Sequence, residues 1–261
     1  MAHAFAVNEA PLAARESLQT DAIWQARVDL AACFRAAAEL GLAEGICNHF
    51  SAVVPGHPDL FLVNPFGLAF AEITASSLLI CDFHGRVLAG EGAPEATAFY
   101  IHAPLHRLHP RAVAAFHTHM PYATALCMLE GQPLVWAGQT ALKFYDRLAV
   151  DEDYQGLALD AHEGERIARA AGDADVILLK NHGPVVLGPS IAEAFDDLYY
   201  LERAAQVQWL AMSSGRPLKP VAPAIAQAAC AQMKIGNALS AEQHLASVKR
   251  RLRAAGADFE H

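Results

Sequence analysis

Apolar positions along the chain follow two periods. In "TDAIWQARVDLAACFRAAAELGL" (20–42) they recur at three and four residues, the spacing of one helix face. Thr20 and Asp21 can cap its start and Gly41 stops it, so a helix is predicted there. "ICNHFSAVVP" (46–55) and "DLFLVNPFG" (59–67) are apolar runs closed by turn signals, Pro55-Gly56 and Asn64-Pro65, and read as strands. "ITASSLLICDFHGRVL" (73–88) reads as a short helical start, a strand, a turn at His84-Gly85 and another strand. "APEATAFYIHAPLHRLHP" (93–110) is predicted to be a helix bracketed by Pro94 and Pro110. "AVAAFHTH" (112–119) reads as a short buried strand, and "MPYATALCMLEG" (120–131) as a helix or helical turn.

Residues 133–154 are predicted to mix loop and strand, and 162–174 to form a helix. "VILLKNHGPVVLG" (176–188) reads as a hairpin turning near His182-Gly183, and 190–215 as a long helix. No internal repeat or long linker divides the chain. The reading is a loose arm (1–19), one α/β domain (20–215), and a tail (216–261) that starts proline-rich and ends in a weaker helix. Strand pairs interleave with helices, which favours a mixed or mainly antiparallel sheet.

Composition narrows the partners. The 261 residues are 54% hydrophobic and 18% charged, with a formal net charge of −9. A chain of that kind packs a core, and its acidity argues against nucleic acid or an anionic membrane as partner. The N-terminus lacks the basic and apolar regions of a signal peptide, and no apolar run is long enough for a membrane helix. Five scattered cysteines, without C-x-x-C spacing, fit reduced thiols in a cytoplasmic protein.

The thirteen histidines are the unusual feature, because eight fall between His49 and His119. In an extended segment residues i and i+2 share a face, so His117 and His119 could both reach one cation. Imidazole suits zinc, iron, nickel or copper. A third ligand is best sought in His182 of "LLKNHGPVV", at the end of a buried strand and before a glycine that lets the chain turn. The competing reading is two surface histidines and a turn residue. No nucleotide-binding or nucleophile signature is present, which leaves metal-assisted chemistry as the supported catalytic route.

Six segments together resemble the class II aldolase/adducin family over residues 22–215: "EGICNHFSAVVPG", "FLVNPFGLAFAEITASSL", "FYIHAPLHRLHP", "FHTHMPYATAL", "ILLKNHGPVVLG" and "AEAFDDLYYLERAAQVQ". The resemblance implies a three-layer α/β/α fold with a central, mainly antiparallel sheet. It also implies a homotetramer with sites at subunit interfaces, and a divalent metal on His117, His119 and His182. Zinc is the first expectation, with manganese or iron as alternatives.

The family's sugar-phosphate aldolases use zinc as a Lewis acid to stabilise the enediolate left by C–C cleavage, and a nearby carboxylate moves the proton. Their Ser-Ser-Glu-x-x-x-His arrangement is broken in this sequence. His102 matches the histidine, but Ala98 stands where the glutamate belongs, and Ala96 and Thr97 replace the serines that help to hold the phosphate. Glu95, one helical turn earlier, or His102 is then the expected acid/base, unless Glu95 only favours the helix dipole.

Asn48, Asn64, Gly67 and Thr97 are expected at the substrate, and His49 beside them. Gln139 and Tyr145 lie where the family often places a residue that reaches it. His109 is expected to be a surface residue, and 151–153 a solvated acidic turn. The function expected is a metal-dependent lyase, cleaving or decarboxylating a small hydroxy- or oxo-carbonyl compound through a metal-stabilised enolate. The alternatives are an iron oxygenase on the same triad and a non-catalytic, adducin-like interaction protein.

Overall fold

The computed structural model describes residues 17–261; most of the predicted N-terminal arm lies outside them. Helix α1 (Asp21–Glu39) starts where Thr20 Oγ1 accepts the Ile23 N–H and ends before Gly41 in a left-handed conformation. Strands β1 (His49–Val54), β2 (His57–Val63), β3 (Leu79–Asp82) and β4 (Val87–Ala89) follow as antiparallel neighbours. Helix α2 (Ala96–Leu108) leads to β5 (Ala114–His117) and the short α3 (Pro121–Cys127). Then come β6 (Leu148–Asp151), α4 (Ala161–Ala170), the hairpin of β7 (Val176–Leu179) and β8 (Gly183–Gly188), and the long α5 (Ile191–Met212). The eight strands form one sheet in the order β4-β3-β2-β1-β5-β8-β7-β6. Among the described residues only β6 and β7 pair in parallel, and α4 supplies the crossover that a parallel pair needs.

Alternation along the strands decides the layers. Phe50, Ala52, Ala114, Phe116, Leu178 and Val186 face α1 and α5 in the larger core, where Phe50 stacks on Phe116 with centroids 4.1 Å apart. The opposite face carries His49, Ser51, Ala115, His117, Val185 and Leu187, and α2 and α4 cover it. The sheet therefore lies between two helical layers, as predicted. Pro104 sits inside α2 and cannot donate to the Tyr100 carbonyl. Gly164 of α4 packs against that same carbonyl, so closely that a Cβ would overlap it.

The tail departs from the expectation of a single weak helix. It holds α6 (Pro223–Lys234) and α7 (Asn237–Ala254). Leu245, Leu252 and Phe259 belong to the same core cluster as Phe34. Lys143 fastens this end of the molecule: its ammonium lies 2.5 Å from Asp196, 3.0 Å from Asp197 and 3.0 Å from Asn237 Oδ1. His244 of α7 bonds Asp196 at 2.7 Å. The expected helical start near 73 is instead a 3-10 turn at Phe70–Glu72, followed by a Thr74–Ser77 turn closed by its own hydroxyls. Among the described residues, no helix is long and apolar enough to cross a membrane.

Candidate metal centre

His117 is the last residue of β5, directly opposite His49 on β1. The strand stops there, so His119 is not held by the pleat as the spacing predicts; it lies in the extended link to α3. His182 sits in the β7–β8 turn, where Asn181 adopts φ 57°. The link and the turn bring the three imidazoles together, with a ligand atom from each within 4.8 Å of the others. Gly183 keeps that approach open, since a Cβ there would come within 3.1 Å of the Thr118 carbonyl and 3.3 Å of the His119 ring.

The hydrogen bonds set the orientation of two rings. The Pro184 carbonyl can only accept, so His117 donates from Nδ1 at 2.9 Å. His119 Nδ1 donates to the Glu44 carboxylate at 2.5 Å. With both rings in the neutral form that binds metal, both Nε2 atoms are lone pairs, and they face each other at 3.2 Å. Two lone pairs at that separation repel unless a cation lies between them. Metal–nitrogen bonds of 2.0–2.1 Å in tetrahedral geometry place neighbouring nitrogens about 3.3 Å apart, so the residues fit a divalent ion. Burial lowers the pKa of His117 well below the ordinary value. His182 is held at about 4 by burial and the neighbouring His119. Neutral imidazole is the form that binds metal.

Asn48 ties the preceding loop to this cluster. Its Oδ1 accepts the Glu44 N–H at 2.7 Å and the His119 backbone N–H at 3.4 Å, while its buried Nδ2 has no partner among the described residues. Asn64 donates to the Asn48 carbonyl at 3.2 Å, and its own Oδ1 is likewise unpartnered. The turn through Gly67 (φ 97°) is held beside the α2 N-terminus by Phe66 N–H donating to Ala93 O at 2.9 Å. Glu95 is the N-cap residue of α2, but its side chain caps nothing. Burial raises its carboxyl pKa, opposed by the Thr97 hydroxyl and by His119 close by.

Not every expected residue reaches the cluster. Ala98 packs among Phe61, Val63 and Leu79, in an apolar pocket that would not tolerate a carboxylate. His102 is fully buried with both ring nitrogens occupied, Nε2 by His49 at 2.7 Å and Nδ1 by the Ser51 hydroxyl. It therefore cannot touch a substrate, which corrects the expectation of a direct acid/base role. His109 is not a surface residue: it is buried and bonds the Ala168 carbonyl at 2.6 Å. Asp151 is also buried, paired with Arg166 at 2.7 Å, rather than part of a solvated turn. Gln139 lines a separate cavity of about 400 Å³ with Val135, Val207 and Arg216, and Tyr145 meets Trp136 edge to face. Sequence reasoning missed Glu44, because an acidic residue 75 positions from its histidine leaves no local signal. It also missed Thr124, whose buried hydroxyl has no partner and lies beside Gly183.

Known proteins resemble this chain in sequence and in fold. Residues 28–209 match the family described as Class II Aldolase and Adducin N-terminal domain. A protein of Caulobacter vibrioides named for the class 2 aldolases is 37% identical over 211 residues, 80% of each chain. A Streptomyces niveus protein named decarboxylase NovR is 32% identical over 189 residues, covering 72% of this chain and 70% of its own. The crystal structure of an aldolase II superfamily protein from Pseudomonas syringae superposes with a TM-score of 0.88 at 32% identity, over 95% of this chain and all of that one.

Proposed function

The chain belongs to the class II aldolase and adducin family, and on that premise we propose that it is a metal-dependent lyase acting on a small hydroxy- or oxo-carbonyl compound. The observation that carries this reading is the convergence of three imidazoles, with the Nε2 atoms of His117 and His119 facing each other at 3.2 Å and His182 alongside. These three residues would hold a divalent ion, zinc first and manganese or iron as alternatives. When bound, such an ion supplies Lewis-acid polarisation of a substrate oxygen.

The protein's own groups do the rest. Glu44 and the Pro184 carbonyl fix the orientation of the two ligand rings. Asn48 and Asn64 offer a buried donor and a buried acceptor with no internal partner, and a polar substrate satisfies them. Glu95 is the group placed to carry a proton: it is half-buried, burial raises its pKa, and it lies close to His119. The loss of the family glutamate and serines at 96–98 favours a substrate without a phosphate, so cleavage or decarboxylation of a hydroxy or oxo acid is the reaction proposed. The decarboxylase among the relatives supports that choice. Exposed Val207, Leu210, Ile225, Ile235 and Leu239 on α5 to α7 support a homotetramer with sites at its interfaces.

The test is the metal content of protein purified without chelator or added salts, beside a His117→Ala/His119→Ala double variant. About one zinc, manganese or iron per chain, absent from the folded variant, is expected. Equal metal in both proteins, or none in either, overturns the proposal.

A further inference from the structure

Behind the triad, on the face of the sheet covered by α2, four buried side chains form an unbroken chain of hydrogen bonds. It starts at the Ala112 carbonyl, which can only accept, so His106 donates from Nδ1 at 2.6 Å. His106 Nε2 is then a lone pair and takes the Ser51 O–H at 2.7 Å. The alternative acceptor for that hydroxyl, the Ala115 carbonyl, is farther away at 3.4 Å. Ser51 has one proton, so its oxygen accepts from His102 Nδ1. His102 Nε2 in turn accepts from His49 Nδ1 at 2.7 Å. All three imidazoles are buried, and among the described residues no carboxylate bonds any of them, so the neutral form is the one this core holds.

A single backbone carbonyl thus dictates every tautomer, and the last ring, His49, carries no proton on Nε2. That nitrogen lies on the ring edge turned away from His102. His49 pairs with His117 across β1 and β5, with ring centroids 5.0 Å apart, and the His117 ring in turn lies 5.1 Å from that of His119 and 4.7 Å from that of His182. Among the described residues nothing donates to it.

We propose that this relay presents His49 Nε2 to the metal centre as an obligate hydrogen-bond acceptor, which selects substrates bearing a hydroxyl over ligands with acceptors alone. This rests on reading the triad as a metal centre and deepens it. The substrate class becomes a hydroxy-carbonyl or hydroxy acid, whose O–H donates to His49. A carboxylate or keto oxygen at the same place would meet a lone pair and be disfavoured.

The tautomer is read in the metal-free wild-type protein by long-range proton–nitrogen NMR of the imidazoles, assigned with His49→Gln. Binding is read by calorimetry on the zinc-loaded protein, with glycolate as the donor-bearing probe and oxalate as the acceptor-only one. His49 protonated on Nδ1 is expected. Ser51→Ala cuts the relay and lets His102 turn its proton toward His49, so glycolate should weaken by about tenfold while oxalate does not. Ser51→Thr keeps the hydroxyl and should retain the wild-type preference, which separates the relay from a general packing defect. Zinc bound but His49 protonated on Nε2, or equal weakening of both probes in Ser51→Ala, overturns the relay alone. No zinc bound to the wild type overturns the metal reading and the role of His49 with it.

Discussion

Three neutral histidines in one core make the fold sensitive to acid in a window where carboxylates are silent. His49, His102 and His106 are each at most 6% exposed, and burial is the largest cause of their lowered pKa. The sign follows from linkage: unfolding releases them to the ordinary value of 6.5, so the unfolded chain binds more protons below that pH, and stability present at pH 7 is lost as pH falls. For His106, with about 4 in the fold, the loss at pH 5.0 is about 2 kcal/mol. Well below pH 6.5, each of the three approaches the limiting slope of about 1.4 kcal/mol per pH unit, roughly 4 kcal/mol per unit together, and in the metal-free protein His117 and His182, also lowered by burial, add to it. Against a usual domain stability of about 5–15 kcal/mol, that is decisive by pH 5. The assay is urea unfolding at pH 7.5, 6.5, 5.5 and 5.0 with chelator present, so that bound metal does not contribute. Stability should fall from about pH 6.5 downward, with about four to five protons taken up per molecule unfolded at pH 5.5, since His117 and His182 are lowered as well, and His106→Gln should reduce the slope by about a fifth. A stability curve flat from pH 7.5 to 5.0, with loss only in the carboxylate range, would refute the neutral, buried assignment.

Three further outcomes follow from particular contacts. Gly164→Ala should lower stability by about 3 kcal/mol, visible as a drop in Tm, because its Cβ would overlap the Tyr100 carbonyl left free by Pro104; an unchanged Tm would show that α2 and α4 can separate at little cost. Lys143→Ala leaves Asp196 and Asp197 without their shared ammonium, costing about 3 kcal/mol and loosening α6 and α7, so trypsin should cleave faster after Lys234, in the link between those two helices. Protection equal to wild type would contradict the anchoring role. Glu44→Gln removes the charged acceptor that orients His119, and zinc affinity in a competition titration should fall about tenfold or more with folding unchanged; equal affinity would show that the ring is held by other contacts.

Much of the candidate site was legible in the sequence because it rests on local patterns. The apolar run before His117, and the buried strand and glycine around His182, are short-range signals, and they placed three histidines that the fold brings within 4.8 Å. What could not be read was which histidine faces which neighbour. His49, His102, His106 and His109 looked alike as isolated letters. Strand parity put His49 and His117 on the same face, helix rotation sent His102 and His106 into the core behind them, and α4 covered His109. Ala98, read only as the place of an absent glutamate, sits in an apolar cluster that excludes a carboxylate.

The sequence alone determined the alternation of elements, the α/β class, the mainly antiparallel sheet and the identity of the three histidines, because periodicity and turn chemistry act over a few residues. The tertiary structure decided the rest. Glu44 reaches His119 across 75 residues, the tail contributes two helices to the main core, and one backbone carbonyl at Ala112 sets the tautomers of three rings. Each depends on side chains distant in sequence meeting in a medium that excludes water. Hydrogen-bond direction and desolvation, not local propensity, choose the outcome there.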